Sequence, residues 1–198
     1  MSLTLTRETL AGVRALFAKV LEVFTGGFAW TAAALTRHTD GVTLPAGTLL
    51  VVSEATRQAT PVKRARLAAT LATAVSTAVV EKGHLFEAGD FIFGVGLGTA
   101  ATIGSVVEGA TTDSLVISVG TSRFRGAVGL AIMEVASGGA TGPGGYVGTA
   151  NAIALYPSTI EAGASVAALR RGTVYANRIQ PVVATDDLPA TIQLSTSA

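Results

Sequence analysis

His38 and His84 are the only imidazoles in the chain, and cysteine is absent. An imidazole can serve as a general base or a metal ligand, but each role needs partners. A base needs a nucleophile and an orienting group, and a metal needs further ligands at fixed spacing. Asp40 and Glu87 lie near the two histidines in sequence, yet neither histidine has a carboxylate or second histidine at ligand spacing on a helical pattern. The lack of cysteine excludes disulfides, thiolate nucleophiles and Cys-ligated metal sites. No serine sits in a Gly-x-Ser-x-Gly frame, and no Gly-Lys-Ser or Gly-Lys-Thr phosphate loop is present. Gly94-Val95-Gly96-Leu97-Gly98 follows a strand pattern, as a dinucleotide-binding turn would. The β-branched residues beyond it, Thr102-Ile103 and Val106-Val107, supply no helix whose N-terminus could hold a pyrophosphate, so the run reads as a bulged turn. Asp186-Asp187, in a polar stretch, reads as solvated charge. The expectation is a protein with no catalytic residues, no metal ligands and no cofactor, and not an enzyme.

Basic residues gather in three small groups, Lys63-Arg64-Arg66, Arg123-Phe124-Arg125 and Arg170-Arg171. The net charge of +1 is far from the excess that coats a phosphate backbone, which argues against nucleic acid as a partner. The groups read as solvated faces or as complements to acidic patches on a protein. Only 14% of the 198 residues are charged while 49% are hydrophobic, against roughly 25% charged in an average soluble domain. A surface so poor in charge is expected to be hidden against copies of itself or a partner. Charge-free stretches such as Thr25 to Thr36 fall short of the roughly twenty apolar residues that cross a bilayer, so no membrane association is expected. No signal-peptide pattern opens the sequence, and synthesis in a bacterial cytoplasm is the expectation. Exposed aromatics could bind a host glycan, and Trp30 and Tyr146 are the candidates for such adhesion.

The elements that must position these groups are mostly strands. Leu49 to Val52, Phe91 to Phe93, Leu115 to Val119, Gly129 to Val135, Ile153 to Tyr156, Ser165 to Leu169, Thr173 to Tyr175 and Thr191 to Leu194 are short β-branched runs separated by Gly, Asp and Pro. Their spacing predicts a mainly β fold, an antiparallel barrel or sandwich. Residues 63–80 suit helix and strand alike and are taken as β. One helical pattern stands apart: Leu10, Val13, Phe17, Val20, Leu21 and Phe24 recur at three- and four-residue intervals within residues 6–24. This predicts an N-terminal amphipathic α-helix ended by Gly26-Gly27, with the stripe as an interface to another subunit. The expected organisation is an anchoring helix over 1–27, a β-rich domain over 28–137 and a Gly-rich loop or linker over 138–148. Residues 149–198 then supply C-terminal strands and a tail, which complete the same domain or form a small second one.

Two stretches carry a family resemblance. Pro61-Val62-Lys63, then Val80-Glu81-Lys82-Gly83-His84-Leu85-Phe86-Glu87-Ala88-Gly89-Asp90-Phe91-Ile92, resembles the head-fiber and capsid-decoration proteins of tailed bacteriophages. Ala168-Leu169-Arg170-Arg171-Gly172-Thr173-Val174-Tyr175, with Arg178, Pro181 and Leu188-Pro189, is similar to their closing segment. Leu44-Pro45-Ala46-Gly47-Thr48-Leu49 stands in the matching order upstream. The resemblance implies a β-rich virion protein on the outer capsid surface, commonly a homotrimer, partnered by the major capsid protein and carrying no catalytic residues. In the motif itself, Gly83 and Gly89 can take positive φ and Asp90 can bond its own turn, framing Phe86 and Phe91. The expected function is structural, to stabilise the head or display an adhesive surface. The alternatives are a glycan- or receptor-binding module of a virion and an unrecognised hydrolase. Clustering of His38, His84 and acidic residues in one pocket would favour the hydrolase.

Overall fold

The computed structural model describes residues 16–38, 41–71, 75–94, 100–118, 126–137, 147–183 and 186–196. Strand is the dominant element among the described residues, so the mainly β class holds. In order they are β1 (Phe17–Val23), β2 (Phe28–Trp30), β3 (Val42–Leu44), β4 (Leu49–Ser53), β5 (Gln58–Pro61), β6 (Arg64–Arg66), β7 (Thr77–Glu81), β8 (Phe91–Gly94), β9 (Ala101–Glu108), β10 (Thr112–Ser118), β11 (Ala131–Val135), β12 (Ala152–Ala154), β13 (Ser158–Ile160), β14 (Ser165–Val166), β15 (Ala168–Tyr175) and β16 (Ile192–Ser195). A six-residue helix, α1 (Ala32–Arg37), is capped by Thr31, whose Oγ1 accepts from Ala34 N at 3.1 Å. A 3-10 turn covers Ala176–Arg178.

The middle of the chain builds a six-stranded antiparallel sheet in the order β6-β11-β8-β9-β10-β7. The sheet curls until its two edge strands meet: Leu67 bridges Val80, and Ala68 N donates to Val79 O at 2.9 Å. In β10 the inward positions are Asp113, Leu115 and Ile117, alternating with less buried residues as a half-buried strand requires. Leu115 and Ile117 join Val80, Ile92, Ile103 and Ile132 in one apolar core. Each such side chain contributes about 1.5–3 kcal/mol on burial.

The two ends of the chain build the larger sheet together, in the order β1-β15-β12-β4-β5-β2-β14, with β16 alongside β15. Most pairings are antiparallel, but β2 with β5 and β15 with β16 are parallel, a departure from the wholly antiparallel expectation. Residues 63–80, ambiguous in sequence, form β6, the Leu67 and Leu71 bridges and β7. The glycine run Gly94–Gly98 lies outside the described residues except for Gly94, as does most of the Gly-rich segment 138–148.

The N-terminal helix is corrected. Leu10 and Val13 lie outside the described residues, while Phe17–Val23 is a strand antiparallel to β15. Its register explains the helical spacing. Phe17 faces Val174, Lys19 faces Thr173, Val20 faces Gly172, Glu22 faces Arg171 and Val23 faces Leu169, with shifts between 17 and 19, 20 and 22, and 22 and 23. Each shift inserts a residue that the ladder skips, so Phe17, Val20 and Val23 share a face at intervals of three. A bulged strand therefore mimics the period of a helix. Gly26-Gly27, expected to end that helix, is instead a turn after the strand, held by the Arg57 guanidinium, which donates to Gly27 O at 2.6 Å and also to Thr25 O.

Candidate functional site

Lys63 and Asp90 of the resemblance motif, and Arg64 beside it, are spent on joints within the fold. Lys63 is 1% exposed and donates to both oxygens of Asp90, at 3.0 and 2.9 Å. Asp90 Oδ2 also accepts Glu87 N at 2.7 Å, and Gly83 and Gly89 take φ of +88° and +95°. The turn chemistry expected from Gly-Asp is thus present, with an ion pair added from β6's approach. Arg64 reaches across to the C-terminal segment, its Nη1 and Nη2 bonding Asp186 Oδ2 and Oδ1 at 2.5 and 2.7 Å. Asp186 accepts further from Ala150 N and Val183 N. Its side chain is 1% exposed, so its reading as solvated charge is overturned. Gln180 completes the seam, accepting from Leu49 N and donating to Gly83 O.

His38 and His84 do share a pocket of about 700 Å³ with Glu87, Glu108 and Asp113. His38 Nδ1 lies 3.9 Å from Glu87 Oε1. His84 Nδ1 accepts Phe86 N at 3.2 Å, and its Nε2 lies 3.2 Å from Asp113 Oδ2. This geometry defines the tautomer: the lone pair is on Nδ1 and the proton on Nε2. With its one lone pair held by a backbone N–H, His84 has no basic nitrogen to offer a substrate. Burial pushes the imidazole below its ordinary value near 6.5, and neighbouring Asp113 only partly offsets this. Burial would raise Asp113, yet the Lys82 ammonium at 2.8 Å, the Gly109 N–H and nearby positive charge hold its carboxyl below 3.8. Among the described residues no group of three or more His, Asp or Glu side chains is placed to hold a metal ion.

A second cleft, of about 770 Å³, opens where the two sheets meet. Its walls include Leu16, Pro45, Ala65, Leu155, Pro157 and Ile179, with Arg66 and Arg178 among the polar groups. Tyr156 stands at this cleft 62% exposed, an aromatic that sequence reasoning passed over because strand patterning placed it at a strand end. Trp30, expected as an adhesive surface aromatic, is instead 5% exposed and donates to Thr159 O at 2.8 Å. Tyr146 lies outside the described residues.

Of the expected interface stripe, Phe24 belongs to the core, edge-on to Phe28 with centroids 5.3 Å apart. Phe17 is half-buried against the cluster of Leu169 and Val174. Val20, Leu21 and Val23 are 44%, 52% and 38% exposed. They lie on the edge strand of the larger sheet, and no strand among the described residues pairs with the outer side of β1. No described helix is long and apolar enough to cross a membrane. Compared with known proteins, the chain matches no family model, no curated protein and no solved structure.

Proposed function

We propose that the chain is a non-enzymatic structural protein of a tailed-phage head, a decoration or head-fiber subunit that binds the outer capsid surface as a homo-oligomer. The resemblance supplies the class and implies a trimer. The observation that carries the reading is the contrast between spent and unspent groups. Lys63, Arg64, Asp90 and Asp186 are consumed in internal joints, whereas Val20, Leu21 and Val23 stay exposed on β1, whose outer side no described strand covers. An uncovered apolar edge is a template for association. The chain would be made in the bacterial host cytoplasm and held on the virion, with the major capsid protein as its partner.

Two other readings each rest on one observation. The shared pocket of His38, His84 and three carboxylates favours a hydrolase, but the engaged lone pair of His84 weighs against general-base chemistry there. The exposed Tyr156 beside an apolar cleft favours a glycan-binding module. Antibody raised against the purified chain and applied to intact virions of the phage that encodes it tests the main reading. Label on the outer face of the head is expected. Label confined to infected-cell lysate, with none on particles, overturns it.

A further inference from the structure

The outer edge of β1, which no described strand covers, is complementary to its own reversal. Because the ladder skips Leu21, Lys19 and Glu22 sit one rung either side of Val20, opposite Thr173 and Arg171 and hence on one face. The hydrogen-bonding direction of the central rung follows from β15. Tyr175 N donates toward β1, to Leu16 O, at 3.0 Å, while Gly172 N turns the other way, to Thr191 O, at 3.2 Å. In an antiparallel ladder the rungs alternate, so Val20 opposite Gly172 points its own N–H and C=O at the open edge.

We propose that two copies of this chain pair antiparallel through β1, with Val20 opposite Val20 of the second copy, about a two-fold axis normal to the sheet. The inference rests on the oligomer reading above and gives it a specific seam and a number, two rather than the three that the resemblance implies. At this register the central residues exchange both backbone hydrogen bonds. The two-fold operation then brings Lys19 of each copy against Glu22 of the other, twice. Glu22 is free to take it, since its ion pair with Arg170, at 3.3 Å, leaves the carboxylate side chain 49% exposed. Bulges and an edge lysine ordinarily discourage strand addition. Here the bulge aligns the lysine with its complement, so a foreign strand is disfavoured unless it carries a carboxylate and a lysine in the reversed order. A second copy meets that condition by symmetry. Val20, Leu21 and Val23 leave water in the same step.

The test is light scattering on a size-exclusion column with the full chain and charge-swapped variants. Wild type should run at twice the chain mass. Lys19→Glu and Glu22→Lys should each raise the dissociation constant on the order of tenfold or more, since each turns two attractions into two repulsions. Lys19→Glu/Glu22→Lys should dimerise again, and the two single variants should pair with each other when mixed. An oligomer of any number that ignores both single swaps overturns β1 pairing and leaves the oligomer reading standing. A wild-type monomer overturns both. Circular dichroism of each variant separates loss of pairing from loss of fold.

Discussion

The buried pair of Arg64 and Asp186 is where a single substitution should cost most. Asp186→Ala removes the bidentate partner of a guanidinium that is 2% exposed, leaving Arg64 with Pro181 O at 3.1 Å as its remaining acceptor here. It also deprives Ala150 N and Val183 N of their acceptor. Breaking a buried pair from one side costs about 3–5 kcal/mol, and orphaned backbone donors push this toward the upper end. For a chain of this length, at roughly 2–4 °C per kcal/mol, the melting temperature should fall by about 6–20 °C. Arg64→Met should cost less, about 3 kcal/mol, because the stranded carboxylate keeps its two backbone donors. Differential scanning calorimetry on the two variants measures both numbers. The reasoning fails if Asp186→Ala costs under about 1 kcal/mol, or if Arg64→Met proves the more damaging of the two.

Acidification should destabilise the fold in two stages. The folded-state value of His84 is depressed, so the unfolded chain binds its proton first, and stability present above about pH 6.5 is lost as pH falls below it; Asp113 acts in the same direction below about 3.8. His84→Asn, which keeps an acceptor near the Nδ1 position but does not titrate, should flatten the first stage in urea titrations between neutral and mildly acid pH. Gly172→Ala would place a Cβ 2.4 Å from Lys19 O, a backbone atom that cannot yield without moving β1. Amide exchange should then rise across Phe17–Val23 while the six-stranded sheet keeps its protection; unchanged exchange in β1 would show that the strand tolerates the methyl group.

The β class and most strand positions were legible because short apolar runs between turn residues leave few alternatives. Gly89-Asp90 was legible too, since the turn chemistry is local. The N-terminal helix was misread for a physical reason: bulges give Phe17, Val20 and Val23 a period that no propensity argument separates from a helical stripe. What sequence could not show was pairing at long range. Asp186 looks solvated beside Asp187, and only the fold brings Arg64 to it across 122 residues. Lys63 and Arg64 likewise look like an exposed basic run, and both are buried. Trp30 looks like a surface aromatic from residue type alone, yet it is buried, with Thr159 O of β13 accepting its indole N–H. These burials strengthen the argument from composition, because a sequence already poor in charge leaves still less of it on the surface.

That correction moves the boundary between anchor and core to a specific bond. If residues 17–23 act only at the edge of the sheet, a chain beginning at Phe24 should still fold. Phe24 N would keep its hydrogen bond to Ala168 O at 3.0 Å, and the ring would keep its edge-on contact with Phe28. A chain beginning at Gly26 loses that ring, which is 7% exposed, and should lose about a further 3–5 kcal/mol, the cost of emptying a buried phenylalanine site. The shorter deletion does uncover the side of Leu169 and Val174 that Phe17 half-covers, so it should melt somewhat below the full chain. Both truncations should be monomers, since neither keeps β1. Melting curves for the three chains should therefore step down unequally, with the larger step between the two truncations. Equal melting of the two would place Phe24 outside the core, and an oligomer surviving in the chain that begins at Phe24 would place the seam somewhere other than β1.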